Sequence, residues 1–161
     1  MRLSFGPKGV AQIDDCRIIY RNFSGIGSPY NREGDRNFAV IIPDAETADA
    51  LVREGWRVKV KPPREEGDEP FRYMTVKVMF NDFGPKIYLQ SGSARRELTP
   101  DTVSCLDRIE IESVNMDLRP YDWERNGETG RSAYLKGMWV TQRLDRFAER
   151  YAEEMGEAAL E

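Results

Sequence analysis

Apolar and polar residues alternate along most of this chain, a pattern typical of β-strands with one buried face. The clearest run is residues 71–80, where Met74, Val76, Val78 and Phe80 lie on one side of the predicted strand. Similar runs predict further strands at residues 10–20, 37–42, 56–61, 86–90, 109–118 and 133–140. We therefore expect about seven strands, separated by polar connectors such as 62–70 and 91–97.

Three segments carry helical signals instead. Asp44 is a good N-cap for a helix over residues 45–54, and Gly55 marks its end. Thr99 and Pro100 predict a short helical turn ending near Leu106. Apolar residues at helical spacing predict a C-terminal helix over residues 144–155.

The stretch 117–139 predicts a hairpin with an unusual loop. Asn126-Gly127 between β-rich runs is a strong hairpin signal. The predicted loop carries rings and cations together, namely Arg119, Tyr121, Trp123, Arg125 and Arg131. Such a mixture can stack bases and hold phosphates. The alternative is that Tyr121 and Trp123 cap one end of a barrel.

A second segment of this kind spans residues 21–38, RNFSGIGSPYNREGDRNF, which is rich in Gly, Ser and Asn and reads as a loop. It carries the rings and cations Arg21, Phe23, Tyr30, Arg32 and Arg36. We interpret it as a candidate nucleic-acid finger, or else as a solvated turn whose aromatic rings pack back onto the barrel. No helical pattern follows the GxG at Gly25 and Gly27, so a dinucleotide site is not indicated.

The run 56–61 alternates with period two. Trp56, Val58 and Val60 share one face, while Arg57, Lys59 and Lys61 share the other. Three cations on one face could follow a phosphate backbone, or could form an ordinary solvated face.

Short strands joined by glycine-rich loops favour a mainly β fold: an oligonucleotide-binding (OB)-fold-like antiparallel barrel with one internal helix and a C-terminal helix. The length of 161 residues suggests one binding domain, at 1–142, followed by an acidic tail, at 143–161. The tail has six acidic and three basic residues, so it holds most of the net charge of −4. The body is therefore close to neutral and can present a basic groove.

Composition narrows the chemistry. The chain has no histidine, which removes the commonest general base and catalytic metal ligand. It carries no nucleophile-elbow or P-loop motif, and we expect no catalytic residue, metal or cofactor.

Cys16 and Cys105 form no CxxC pair and are expected to be free, buried thiols. No apolar run reaches membrane-spanning length and the N-terminus lacks a signal-peptide core, so the expected location is the cytoplasm.

Several separated motifs together resemble a family of small single-stranded DNA-binding proteins from phage and prophage replication modules. They are RNFSG and YNREGDRNFAV, DALVREGWRVK, EEGDEPF, and VNMDLRPYDWE with AYLKGMWVT. The resemblance covers roughly residues 10–142 and implies an OB fold and strand protection without catalysis, in phage DNA replication or recombination. By position it implies a binding set of Arg21, Phe23, Tyr30, Asn31, Arg32, Arg36, Trp56, Lys59, Tyr121 and Trp123. It also implies single-stranded DNA as partner, with phage or host replication or recombination proteins and a homodimer left open.

Two other classes of function stay open on the residues alone. One is a phage protein that inhibits a host enzyme, although the cations in the loops argue against mimicry of DNA. The other is a carboxylate-dependent nuclease, which the absence of histidine makes less favourable. Salt-sensitive binding of an oligonucleotide distinguishes the first, and metal-dependent cleavage of DNA distinguishes the second.

Overall fold

The computed structural model describes residues 1–144, which form ten strands and one α-helix. Two short 3-10 turns lie at Pro7–Gly9 and Val103–Asp107. In chain order the elements are β1 (Arg2–Phe5), β2 (Ala11–Cys16), β3 (Ile18–Asn22), β4 (Arg36–Ile42), α1 (Ala45–Arg53), β5 (Lys59–Lys61), β6 (Phe71–Val78), β7 (Lys86–Ser91), β8 (Ala94–Leu98), β9 (Ile111–Arg125) and β10 (Glu128–Gln142).

All ten strands belong to one sheet with β10 near its centre. The strand order is β1-β2-β9-β10-β6-β4-β3, with β5 paired to β6 and with β7 paired to both β10 and β8. One edge of β10 follows the whole of β9. The other edge pairs first with β6, at Ala133 and Tyr134, and then with β7, from Gly137 to Thr141. Strands β6 and β7 thus follow one another along the same side of β10.

The predicted mainly β, OB-like fold with one internal helix is confirmed, and two details differ from the expectation. The sheet is mixed, because β10 runs parallel to both β6 and β7. It is also open among residues 1–144, since β1 and β3 end the strand order without pairing to each other. Parallel pairing joins residues more than fifty positions apart, and no local turn signal announces it.

The core lies between the inward faces of the strands. On β6, Met74, Val76 and Val78 are buried while the alternate positions point outward, as the period-two pattern predicted. The largest side chains in this core include Phe23 and Phe38, whose rings stack with centroids 5.1 Å apart. The core therefore includes an aromatic side chain from the loop after β3.

Helix α1 forms where its capping signals placed it. The Asp44 carboxylate accepts a hydrogen bond from the Thr47 backbone N–H at 2.7 Å, which satisfies one of the free donors of the first turn. Ala48 and Leu51 are buried on its inner face, and Gly55 follows with a φ of 95°. Since this left-handed backbone favours glycine, the helix ends there.

The hairpin of β9 and β10 is longer than predicted. The turn itself is Asn126-Gly127, with φ values of 52° and 80° that match a two-residue hairpin turn. Both strands have 15 residues and continue to this turn, so the predicted loop around residues 119–131 is β-structure. Continuous pairing of the two strands satisfies backbone groups that the polar sequence had suggested were in a loop.

Other strand predictions need smaller corrections. The run 10–20 is two strands, β2 and β3, and β1 was not predicted. The polar segment 91–97 is mostly strand β8, and β5 retains only Lys59–Lys61 of the predicted run 56–61. The helical turn expected near residues 99–106 is the 3-10 turn Val103–Asp107.

Three further expectations concern the C-terminal segment, membrane-spanning helices and the two cysteines. The predicted C-terminal helix and nearly all of the acidic tail lie outside the described residues. Within residues 1–144, no helix has the length and hydropathy needed to cross a membrane. Cys16 and Cys105 are both free, with Cys16 buried and Cys105 partly exposed, and burial raises the pKa of Cys16 to about 12.

Candidate nucleic-acid interface

A band of aromatic rings and cations covers the outward face of the sheet where β3, β5, β6, β9 and β10 meet. Because Met74 and Val76 point into the core, Tyr73, Thr75 and Lys77 of β6 point outward. Lys59 of β5 lies opposite Tyr73 in the strand register, and Tyr134 of β10 lies opposite Lys77. We call this face the ring-cation band; its members are Tyr20, Lys59, Lys61, Tyr73, Lys77, Arg119, Tyr121 and Tyr134.

The first half of the band is built around Tyr73. Its ring meets Tyr20 edge to face with centroids 5.6 Å apart. The ammonium groups of Lys59 and Lys61 lie 5.8 and 5.6 Å from its centroid. Lys61 also donates a 2.8 Å hydrogen bond to the Tyr20 hydroxyl, and this bond raises the pKa of Lys61 above its usual value. Lys61 is therefore fully charged at neutral pH.

The second half is built around Tyr134. Lys77 lies 5.8 Å and Arg119 5.1 Å from the centroid of its ring, within the range of cation–π attraction. Tyr121 meets Tyr134 edge to face at 5.8 Å. Tyr121 keeps 52% of its surface exposed, so this ring is available to a ligand.

Two depressions open onto the band and meet at Lys77. The larger, with a volume of about 590 Å³, is bordered by Arg32, Arg36, Lys77, Phe80 and Tyr134. The smaller, of about 280 Å³, has four cations and no carboxylate among its lining residues: Arg57, Lys59, Met74, Thr75, Lys77, Trp123, Arg131, Ser132 and Ala133. A chain with a net charge of −4 thus presents a locally positive groove.

Trp123 owes its position to a glycine. It lies opposite Gly130 in the β9–β10 register, and a Cβ on Gly130 would collide with the indole ring. The ring is half-buried and lines the smaller depression. Since tryptophan offers a large flat surface, this is a suitable place for a base to stack.

Arg131 has a structural role beside this ring. Its guanidinium forms an ion pair with Asp122 at 2.6 Å, donates to the Glu54 carbonyl and lies 5.5 Å from the centre of the Trp56 ring. The hydrogen bond from Arg131 lowers the pKa of Asp122. Arg131 thus fastens the hairpin to the end of α1.

Five of the ten predicted site residues border the band or its depressions. Arg32 and Arg36 line the larger depression, while Lys59 and Trp123 line the smaller one and Tyr121 belongs to the band. Arg36 also donates to the Pro100 carbonyl at 3.0 Å and lies 5.2 Å from the centre of the Phe80 ring. Arg32 forms an exposed ion pair with Asp35 at 3.2 Å.

Two residues that the sequence predicted to stack on bases are buried instead. Phe23 has no exposed surface and Trp56 is 3% exposed, so neither can stack on a base in this structure. Phe23 packs on Phe38, and Trp56 packs beneath Arg131. Aromatic side chains with little polar surface gain more from burial than from a loop position in water.

The other three predicted residues lie apart from the groove linings. Arg21 donates to the carbonyls of Leu106 and Ile109 at 2.7 and 2.8 Å, which fixes the end of the second 3-10 turn. The Asn31 amide donates to carbonyls of its own loop, at Ile26, Arg32 and Asp35. Tyr30 is 99% exposed and borders neither depression.

The predicted set lacked six of the eight residues that build the band: Tyr20, Lys61, Tyr73, Lys77, Arg119 and Tyr134. The alternation of β6 carried a usable signal, because it places Tyr73 and Lys77 on the face opposite the buried residues. The alternation of β10 also places Tyr134 outward, but its position beside Lys77 depends on the parallel pairing with β6. No group of Cys, Asp or Glu residues suited to hold a metal ion occurs within residues 1–144.

Two similar solved structures are of one bacteriophage protein. The single-stranded DNA-binding protein from bacteriophage Enc34 in complex with ssDNA matches with a TM-score of 0.60 and 13% identity, over 90% of this chain and 93% of that one. A C-terminal truncation of the Enc34 protein matches with a TM-score of 0.55 and 11% identity, over 89% and 97%. At this identity the likeness establishes the fold.

No curated protein matches the sequence. A family model described as "Putative phage ssDNA-binding domain" matches residues 6–160, nearly the whole chain. The match includes every strand from β2 onward and every residue of the ring-cation band. The chain therefore belongs to this family of phage single-stranded DNA-binding domains.

Proposed function

We propose that this protein binds single-stranded DNA without sequence preference, along the ring-cation band, during phage DNA replication or recombination. The observation that carries the proposal is the alternation of rings and cations across β5, β6, β10 and β9, with two positively charged depressions opening onto it. A single strand exposes flat bases and a charged backbone, so its groove needs both kinds of side chain. Family membership supports the same ligand.

The residues divide into two roles. Tyr73, Tyr121, Tyr134 and Trp123 offer ring faces or edges on which bases stack, each worth about 1–3 kcal/mol. Lys59, Lys77 and Arg119 meet phosphates, and each lies within 6 Å of a ring centroid. A cation held there can contact a phosphate while the ring beside it stacks on the adjacent base. Stacking accepts any base, so no sequence preference is expected.

Strand binding of this kind involves no chemical step and needs neither a catalytic residue nor a cofactor. Residues 1–142 form the strand-binding domain in this proposal, and strand binding does not require the acidic segment 143–161. We expect deletion of 143–161 to lower stability or solubility more than it lowers DNA affinity. The natural setting is the cytoplasm of the bacterial host, with phage or host replication and recombination proteins as partners.

The direct test is a fluorescence titration of the protein with oligothymidine at two salt concentrations. Because phosphate contacts release counterions, affinity should fall steeply as salt rises. Tyr73→Ala and Tyr134→Ala should each weaken binding, whereas Tyr30→Ala should weaken it less, since Tyr30 borders neither depression. A folded parent protein that binds no oligonucleotide at low salt would sink the proposal and favour inhibition of a host enzyme instead.

A further inference from the structure

A second group of rings and a cation lies on the outward face of the sheet, beyond the ring-cation band. Tyr88 of β7 and Trp139 of β10 are register partners whose ring centroids are 5.7 Å apart. The Arg95 guanidinium of β8 lies 5.3 Å from one centroid and 5.2 Å from the other. We call this group the distal platform. It shares no residue with the band or with the two depressions.

The distal platform faces the same way along β10 as the band does. Tyr134 lies between the buried residues Ala133 and Leu135, and Trp139 lies between the buried residues Met138 and Val140. Both rings therefore point away from the core. They are five residues apart, which is roughly 16 Å along an extended strand, a distance that one flexible oligonucleotide can span.

The surface between the two groups is open. After the bulge at Lys136, Gly137 occupies a position on the outward face of β10. Because glycine has no side chain, the backbone of the strand is uncovered there. Lys86 lies opposite Gly137 on β7, and both Lys86 and Lys136 are exposed. Asp117 is the carboxylate opposite Gly137 on β9. Two cations and one carboxylate leave this stretch net positive.

The charge of Arg95 is available to a ligand. Glu97, which lies opposite Tyr88, is the nearest carboxylate in the strand register, yet Arg95 forms no ion pair within residues 1–144. An exposed guanidinium above two half-buried rings is the arrangement that holds a phosphate beside a stacked base.

We propose that the distal platform is a second stacking site for the same single strand, reached by nucleotides that leave the band along β10. The inference rests on the proposed function and deepens it, because it makes affinity depend on strand length. An oligonucleotide of about 4 nucleotides fills the band alone, and one of about 16 nucleotides reaches both groups, the range known for single OB folds.

The first test compares two adjacent arginines on β8. Arg95→Ala removes the platform cation, and Arg96→Ala removes an equal charge from the opposite side of the same strand, where Arg96 lies near Cys105. We expect Arg95→Ala to weaken binding of oligothymidine of about 16 nucleotides roughly 2- to 5-fold. Neither variant should change binding of the short oligothymidine. Equal effects of the two variants on the long oligothymidine would overturn the inference.

The second test uses the three tryptophans as separate reporters. Trp56 is buried, so quenching by DNA comes from Trp123 and Trp139. In a Trp123→Phe protein, the long oligothymidine should still quench fluorescence and the short one should not. If fluorescence anisotropy shows that this variant binds the long oligothymidine, but its tryptophan fluorescence is not quenched, then the DNA does not reach Trp139. If the parent protein binds neither oligothymidine, the proposed function fails as well, so the two failures are distinguishable.

Discussion

The indole ring of Trp123 occupies the space that a side chain on Gly130 would fill. The two residues are register partners near the end of the β9–β10 hairpin. Because Gly130 has no side chain, the indole ring can lie against the strand beside the smaller depression, where Lys59 and Arg57 supply positive charge.

This pairing predicts the effect of a single methyl group. Gly130→Ala should push the indole out of place and weaken single-strand binding about 5-fold or more, the lower end of the stacking range. Trp123→Ala should weaken it roughly 5- to 150-fold with the salt slope little changed. Thr129→Ala, at the exposed neighbouring position, is the matched control. Tight binding by Gly130→Ala at a retained fold would show that Trp123 is a structural cap.

Lys77 borders both depressions and lies over Tyr134, so its charge should contact a phosphate. Lys77→Gln should reduce the slope of log affinity against log salt by about 0.7 to 1 unit. The control is Arg2→Gln, because Arg2 is exposed on β1 and borders neither depression. Titrations at four or more salt concentrations measure the slope, and identical slopes for the two variants would contradict the assignment.

Phe23 should matter for stability and not for stacking. Phe23→Ala removes a fully buried ring stacked on Phe38 and should lower the free energy of unfolding by about 3–5 kcal/mol. Tyr30→Ala in the same loop removes a ring that is 99% exposed and should leave stability unchanged. Urea unfolding measures both. A Phe23→Ala protein with parental stability but weaker DNA binding would show that Phe23 belongs to the binding site.

The N-cap of α1 predicts a pH dependence in the acid range. The hydrogen bond from the Thr47 N–H lowers the pKa of Asp44 below its usual 3.8 in the folded protein. The ionised Asp44 cap therefore stabilises the folded protein fully at pH values above the unfolded-state pKa. This stabilisation is lost as the pH falls through the lower pKa of the folded state. Asp44→Ala should be less stable than the parent at neutral pH, and the difference should shrink toward pH 2.

Asp44→Asn is the matched control for that titration, because asparagine caps a helix without ionising. Its stability relative to Asp44→Ala should not vary with pH between about 2 and 5. Thermal unfolding across this range measures both variants. A difference between the parent and Asp44→Ala that stays constant to pH 2 would show that the ionised cap does not stabilise the helix.

Local chemistry in the sequence determined the elements that depend on neighbouring residues. Asp44 and Gly55 predicted the ends of α1, because capping involves atoms within a few residues. Asn126-Gly127 predicted the turn of the long hairpin, since both residues tolerate positive φ. Alternation placed Met74, Val76 and Val78 of β6 in the core, and separated motifs indicated the family.

Tertiary structure alone decided which residues form the candidate site. Phe23 and Tyr121 look alike in sequence, as rings in polar segments, yet one is in the core and the other is exposed. Tyr134 and Lys77 meet only because β10 pairs in parallel with β6, a contact between residues 57 positions apart that no local pattern encodes. Burial and long-range pairing depend on how the whole chain packs, so the local sequence could propose rings and cations but could not assign their neighbours.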